Sequence, residues 1–217
     1  MISHKHKFIF THINKCAGSA VIHSLQTSCR DLVRQGNGHE TVLRNIEDCL
    51  GDPQEYFKFA FVRNPWDRVL SNYFYHVKYQ WKRQNWDFSE VKNLEFKDFV
   101  RKIYDKTFDW NKTWRRLKSR RREPTHKPPI PLRWASAYLW LVDSNNNVLT
   151  DYIGRFENLQ NDFDIICEKI GIPKKQLDLV NKSKHKHYSE YYDDETREIV
   201  AKNHKEDIRY FGYKFGE

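Results

Sequence analysis

The sequence has few cysteines, and they are not arranged to build a metal site or a disulfide framework. Its 217 residues include four cysteines, and none forms a CxxC pair or stands at a metal-ligand spacing from a histidine. They are Cys16, Cys29, Cys49 and Cys167. Because nothing else in the sequence indicates secretion, we expect four reduced thiols, no bound metal and a cytoplasmic location.

A long apolar run is also absent. In the first residues, MISHKHKFIFTHINK, the apolar stretch is too short for a signal peptide or a membrane span. The segment also carries too many charges for either. We therefore expect no transmembrane segment.

Aromatic and charged residues are frequent instead. Aromatics make up 15% of the chain and charged residues 31%, a composition that can bury a core and differs from that of a disordered chain. The length suits a single domain spanning residues 1–217. The formal net charge of +9 favours an anionic partner, such as a nucleotide, an acidic or sulfated sugar, a nucleic acid or an acidic lipid.

Apolar runs typical of buried strands alternate with segments of helical periodicity. The predicted strands are residues 8–13, 57–62 and 148–156. Helices are predicted from Ser19, near Val42, from Pro65, around Phe99, over residues 158–170, and from about Asp193 to Tyr210. This alternation predicts an α/β fold with a central parallel sheet flanked by helices.

One segment differs from the rest of the chain. Residues 110–131, WNKTWRRLKSRRREPTHKPPIP, are strongly basic and end in prolines. We predict a basic insert, a long or mobile loop, at about residues 107–131.

The end of the first strand carries groups suited to a phosphate-type anion. We call residues 14–20, NKCAGSA, the cradle. Its glycine and the first N–H groups of the following helix, at Gly18, Ser19 and Ala20, suit an anion, and Lys15 adds a full charge. The lysine precedes the glycine, and the first glycine of the Walker pattern is missing. Alone, the segment is equally compatible with an ordinary strand-to-helix turn.

The end of the second strand carries a similar set of groups in RNPWDRVLSNY. Arg63 stands at the strand end, where α/β proteins bind ligands, and Asn64 and Pro65 signal a helix start. Arg68 and Ser71 share one helix face, so that these groups suit a second phosphate. A capped helix with a solvated arginine face is the alternative.

The two motifs together resemble those of the sulfotransferases that use 3′-phosphoadenylyl sulfate (PAPS), in particular the carbohydrate sulfotransferase branch. The later segments DYIGRFENL and YYDDETREIV are also similar to that family, so that the resemblance covers most of the chain. It implies a P-loop-like three-layer fold and transfer of a sulfuryl group from PAPS to an acceptor hydroxyl on a carbohydrate. The product of the donor is then the 3′,5′-bisphosphate PAP, and no metal is needed.

The resemblance also implies roles for individual residues. The residues that match the motif for the 5′-phosphosulfate are Lys15, Cys16, Ala17, Gly18, Ser19 and Ala20. Arg63 and Ser71 match the motif for the 3′-phosphate. Lys15 is implied to be catalytic, by neutralising charge on the leaving phosphate. Ala20 stands where threonine or serine is common, which puts one hydroxyl contact in doubt.

A histidine is predicted to act as the general base. A neutral imidazole suits deprotonation of a hydroxyl, and His39 in GNGHETV lies in the loop between the two motif-bearing strands. Some family members have a catalytic histidine in a similar place. His126 in the basic insert and the carboxylate of Glu40 are the alternatives. His12 is expected to be a strand residue packed beside the cradle.

Two other functions are compatible with parts of the sequence. A P-loop-type nucleotide-dependent kinase would need a serine or threonine directly after a Gly-Lys pair, which this sequence lacks. A nucleic-acid-binding module accounts for RRLKSRRR but leaves the two motifs unexplained. We expect PAPS or PAP and a hydroxyl-bearing glycan as partners, and no nucleic acid.

Overall fold

The computed structural model describes residues 1–34, 36, 38–75, 90–108, 134–178 and 186–217, and the chain forms two compact units. Unit 1 comprises Met1–Arg63 and Ala137–Lys182, and unit 2 comprises Asn64–Ser136 and Ser183–Glu217. The single-domain prediction stays a prediction. All but the first two residues of the predicted insert at 107–131 lie outside the described residues.

Unit 1 contains a four-stranded sheet in the order β1-β2-β3-β4. The strands are β1 (Ile2–Ser3), β2 (Phe8–Thr11), β3 (Phe57–Val62) and β4 (Tyr152–Arg155). β2 pairs in parallel with β3, and β3 in parallel with β4, whereas β1 pairs antiparallel with β2 at the edge. The predicted α/β fold with a parallel sheet is therefore confirmed, apart from the antiparallel edge strand β1.

The strand sequences explain their burial. β2 is buried along its whole length and β3 over its last four residues, as expected for parallel strands that read as continuous apolar runs. Phe10 and Phe59 are register partners whose rings stack 5.0 Å apart. The prediction for β3 is confirmed residue by residue, while β2 ends two residues early because Ile13 turns back to bond with Thr11.

The third predicted strand, 148–156, is wrong over its first half. Val148 instead forms an isolated antiparallel bridge with Val142, and the Leu149 N–H donates to the Leu141 carbonyl. Only the residues from Tyr152 onward pair with β3. The two-residue strand β1 is too short to give a periodic signal, and the sequence pattern missed it.

Seven α-helices are present in the described part of the chain. They are α1 (Gly18–Ser28), α2 (Val42–Glu47), α3 (Pro65–Tyr73), α4 (Phe96–Ile103), α5 (Leu159–Ile170), α6 (Asp194–Asn203) and α7 (Lys205–Phe211). In unit 1, α2 packs against β2, and α5 packs against β3 and β4. α5 ends at Gly171, whose left-handed φ of 68° forms the predicted helix stop.

Unit 2 is built around an aromatic core. α3 begins as predicted: the Asn64 side chain accepts from the Trp66 N–H, and Pro65 occupies the first turn. The core residues come from α3, α4, α6 and the neighbouring segments: Trp66, Val69, Leu70, Tyr73, Phe96, Phe99, Val100, Ile103, Trp134, Tyr188 and Val200.

The predicted single helix from Asp193 to Tyr210 is wrong, because it is two helices that meet at His204. α6 starts with a capping box between Asp193 and Thr196. His204 leaves the helical conformation, with φ −117° and ψ 25°, and its buried ring bonds to Tyr104 and Asp207. No glycine or proline marks this break in the sequence, and one of the ring bonds that accompany it reaches Tyr104, 100 residues away in the chain.

Candidate functional site

The cradle joins β2 to α1 through two non-glycine residues in the left-handed backbone region. Lys15 has φ 65° and Ala17 has φ 60°. Such conformations cost about 1–3 kcal/mol each and persist only where surrounding contacts determine them. One such contact is visible, because Arg63 Nη1 donates to the Lys15 carbonyl at 3.2 Å. The end of β3 thus fixes the backbone of the cradle.

The first turn of α1 shows which amides are available to a ligand. The N–H groups of Ala20 and Val21 both donate to the Ala17 carbonyl, at 3.0 and 3.3 Å. The Ala20 amide is therefore engaged within the helix. Gly18 and Ser19 are the first two helical residues, and helix geometry supplies no acceptor for their N–H groups. Ser19 is also exposed.

Gly18 is required for a reason that the sequence did not reveal. Its backbone is not left-handed, but a Cβ atom at this position would lie only 1.8 Å from Cδ2 of His12. The imidazole of His12 therefore packs directly against the Gly18 backbone. The expectation that His12 lies beside the cradle is confirmed, but His12 follows β2 and is not a strand residue.

Two cations meet at the cradle. Burial and, to a lesser extent, the positive charge of Arg63 lower the pKa of Lys15 to about 8, while Cys16 acts in the opposite direction. Arg63 is buried at the end of β3, and its guanidinium lies 3.9 Å from the ring centre of Phe156. A partly buried pair of like charges fits an anion, because a negative ligand offsets the repulsion between them.

Arg68 does not serve the predicted phosphate site. It is fully buried in unit 2, where Nη2 bonds the Ala135 carbonyl and lies 3.9 Å from Asp207. Its role as a phosphate ligand is therefore wrong, because its side chain belongs to the core. Ser71, on the same helix, is also in unit 2 and is 7% exposed.

His39 lies against His12. Their ring centres are 4.0 Å apart, and His39 Nδ1 is 3.1 Å from the His12 carbonyl oxygen. Because a carbonyl can only accept, Nδ1 carries the proton and Nε2 of the neutral ring keeps its lone pair. His39 is partly exposed. This is the tautomer and the exposure that a general base needs.

The other two candidates for the base differ in what the structure shows of them. Glu40 is partly exposed, and its carboxylate borders Gly36, where a Cβ would lie 2.2 Å from Oε1. His126 lies outside the described residues.

His12 itself is 9% exposed. Burial holds its pKa well below 6.5, and the neighbouring His39 contributes in the same direction. The ring is therefore neutral at physiological pH. This pairing has no signature in the sequence, because the two histidines come from separate loops.

Neither a metal-ligand cluster nor a membrane-spanning helix occurs in the described ranges of the chain. No group of three or more histidine, cysteine, aspartate or glutamate side chains is placed there to hold a metal ion. None of the helices described is long and apolar enough to cross a bilayer.

The sheet, the cradle and the paired cations define an α/β protein with two cations, Lys15 and Arg63, at the start of its first helix. A family model described as "Sulfotransferase family" matches residues 1–214. The chain therefore belongs to the sulfotransferase family, which supports sulfuryl transfer as its class of reaction.

Relatives add little beyond this membership. A protein from Archaeoglobus fulgidus, named only as an uncharacterized protein, is 29% identical over 126 residues, which cover 57% of this chain and 74% of that protein. No solved structure matches the chain at a significant level.

Proposed function

We propose that the chain transfers a sulfuryl group from PAPS to a hydroxyl of a carbohydrate acceptor. One observation carries the proposal: Arg63 bonds the Lys15 carbonyl, and its charge lowers the pKa of the Lys15 ammonium. Two cations held this close favour an anionic ligand. Membership of the sulfotransferase family supports a nucleotide sulfate as that anion.

The proposed donor contacts follow the two motifs. The 5′-phosphosulfate is assigned to the cradle residues Lys15, Cys16, Ala17, Gly18, Ser19 and Ala20. Within this set, the amides of Gly18 and Ser19 suit the ligand best, because the Ala20 N–H is bonded to Ala17.

The 3′-phosphate is assigned to Arg63 and Ser71. A guanidinium has five N–H donors, so that the bond from Arg63 to the Lys15 carbonyl is compatible with further bonds to a phosphate.

Two side chains are proposed to act in the chemical step. As the acceptor oxygen bonds to sulfur and the bond from sulfur to the phosphate oxygen breaks, Lys15 stabilises the charge that builds on the leaving phosphate. His39 Nε2 takes the proton of the acceptor hydroxyl. Positioning of the two substrates and electrostatic stabilisation account for the rest of the rate acceleration, as in phosphoryl transfer. No metal forms part of the proposal.

Thermal unfolding with added nucleotides tests the donor site. PAP at about 100 times its Kd adds about 2.7 kcal/mol, a rise in Tm of roughly 5–11 °C for a chain of this size. Lys15→Ala and Arg63→Ala should each reduce this rise, whereas Lys205→Ala, at a side chain that is 76% exposed, should not.

Other outcomes point to other functions. A larger shift with ATP and Mg²⁺ than with PAP supports the nucleotide-dependent kinase. No shift with either, together with salt-sensitive binding of DNA, supports the nucleic-acid-binding module.

The proposal also includes a carbohydrate acceptor and a cytoplasmic location. Labelled PAPS offered with glycans, lipids and small alcohols identifies the acceptor class, and transfer to lipids or small alcohols alone would contradict a carbohydrate. All four cysteines are free, which suits a reducing compartment and supports a cytoplasmic location.

A further inference from the structure

The segment that follows β2 and the loop that carries His39 exchange two hydrogen bonds. One runs from His39 Nδ1 to the His12 carbonyl, at 3.1 Å. The other joins the His12 ring to the backbone of Gly38 and favours the protonated ring. The Gly38 group is therefore its carbonyl, because only an acceptor favours a protonated imidazole. Each histidine side chain thus donates to the backbone of the other segment.

The same His12 ring packs against three neighbours. It lies 4.0 Å from the ring centre of His39 and 6.0 Å from that of Phe10, and it leaves no room for a Cβ at Gly18. The imidazole therefore fills the space between the cradle and the predicted base. Its size sets how closely the His39 loop approaches the cradle.

His12 is held neutral in this position. Burial lowers its pKa most, and then the charges of His39, the N-terminal amine and Arg34, against the opposite effect of the Gly38 bond. A neutral imidazole has one N–H, which the Gly38 carbonyl accepts. The single N–H of His12 is therefore committed to the His39 loop.

We infer that His12 is a positioning residue, which holds the Gly38–His39 loop against the cradle and thereby fixes His39 in its Nδ1–H tautomer. His12 does not touch the acceptor; it acts through His39. This inference rests on the proposed role of His39 as the general base. It gives a buried histidine that follows the first motif strand a function that neither of the two sequence motifs contains.

Nitrogen NMR of ¹⁵N-histidine-labelled protein tests the tautomer directly. In the native chain His39 is expected to show protonated Nδ1 and unprotonated Nε2 above its pKa. His12→Phe keeps a ring against Gly18 but removes the N–H to Gly38, so that His39 should populate both tautomers. His12→Asn and His12→Gln place an amide N–H near the positions of ring Nδ1 and Nε2, respectively. One of these two should restore the Nδ1–H form.

The same NMR spectra provide a control and show which results would contradict the inference. His23→Asn, at an exposed histidine of α1, should leave the His39 signals unchanged. An unaltered His39 tautomer in His12→Phe overturns the inference, as does failure of both amide variants to restore it. If none of the three His12 variants folds, the role of His12 is structural and the inference is wrong.

Kinetics with the acceptor found by screening separates this inference from the proposed function. His12→Phe should lower kcat about 10–100-fold, less than the roughly 100–10,000-fold effect of a general base itself, while the Kd for PAP stays within about threefold. In a His39→Ala background the same substitution should have no further effect on kcat. If His12→Phe still lowers kcat in the His39→Ala background, then His12 does not act through His39. Full activity of His39→Ala refutes the proposed base and leaves the NMR result standing.

Discussion

Lys15 combines an unusual backbone conformation with an unusual acidity. A lysine with a pKa of about 8 is protonated in most molecules at neutral pH but loses its proton within the range of ordinary buffers. Burial and Arg63 cause this shift, and a bound anion would oppose it, because a negative neighbour favours the charged ammonium. The affinity for an anionic nucleotide is therefore linked to the proton on Lys15.

The first prediction concerns this linkage. PAP affinity should be nearly constant, as far as Lys15 is concerned, from pH 7 to about 8. Above pH 8 the free protein loses the ammonium, so that affinity should fall by up to about tenfold per pH unit until the pKa of the complex is reached. Calorimetric titration with PAP at pH 7, 8 and 9 measures this pH dependence of the affinity. Lys15→Arg keeps its charge throughout and should flatten the profile; an equal slope in that variant refutes the assignment.

Arg68 shows how a motif residue can be mistaken for a ligand. Within the described residues its Nε and Nη1 have no hydrogen-bond partner, and Asp207 lies beside it in the core with Ser136 and His204. Burial alone would raise the pKa of Asp207, but His204, Arg68 and Ser136 hold it below its usual range. Arg68 therefore compensates a buried carboxylate.

Arg68→Met should accordingly destabilise the fold without affecting the ligand directly. Breaking a buried ion pair costs about 3–5 kcal/mol, and urea denaturation measures it. Arg101→Met removes exposed bonds to Asp193 and Glu195 and should cost about 1 kcal/mol or less. The folded Arg68→Met protein should bind PAP within about twofold of the native affinity. Normal stability with lost PAP binding would show that Arg68 is a ligand after all.

Among the secondary-structure elements, the helices α1 and α3 begin in different ways. α3 has a side-chain cap and a proline, both legible in the sequence. α1 has neither, and its N-cap is Ala17 in the left-handed region with no side-chain bond. The start of α1 is therefore fixed by the cradle and by His12, which packs where a side chain of Gly18 would be.

Gly18→Ala tests this account of α1. The added methyl overlaps the His12 ring, so we expect a loss of about 1–3 kcal/mol from overpacking and a displaced cradle with much weaker PAP binding. Gly171→Ala is the matched control, since φ is 68° there and nothing lies within 4 Å of the added Cβ. It should cost about 1 kcal/mol through backbone strain alone. Equal PAP affinity in both variants, measured by titration, would contradict a role for the His12–Gly18 contact.

For the whole molecule, the sequence predicted the local features and missed the long-range ones. The strand 57–62, the Asn64 cap and the stop at Gly171 follow from short patterns, and all are confirmed. The burial of Arg68, the break at His204 and the contact of His12 with His39 depend on residues far apart in the chain. No periodicity or spacing encodes such contacts. For the same reason the sequence indicates only an anion-binding role for Gly18 and not its contact with His12.

The two buried histidines predict how stability depends on acid. Burial lowers the pKa values of His12 and His204, so the unfolded chain binds more protons than the folded one below pH 6.5. Stability due to these groups is complete above pH 6.5 and is lost as the pH falls, by up to about 1.4 kcal/mol per pH unit for each ring.

The acid dependence can be assigned by comparing variants. His12→Asn and His204→Gln should each reduce the slope of unfolding free energy between pH 7 and 5, measured with urea. His23→Asn, at an exposed position, should leave the slope unchanged. Native slopes in both buried-site variants would show that other groups control acid unfolding.

The path of the chain through its two units has a consequence for synthesis on the ribosome. β3 ends at Val62, but its parallel partner β4 begins at Tyr152, after Asn64–Ser136 has contributed to unit 2. At about 5–20 residues per second, this gap lasts on the order of ten seconds. During that interval one edge of β3 has no strand to pair with. The nascent chain therefore exposes an apolar strand edge longer than a contiguous domain would, and a chaperone that shields strand edges is expected to raise its yield.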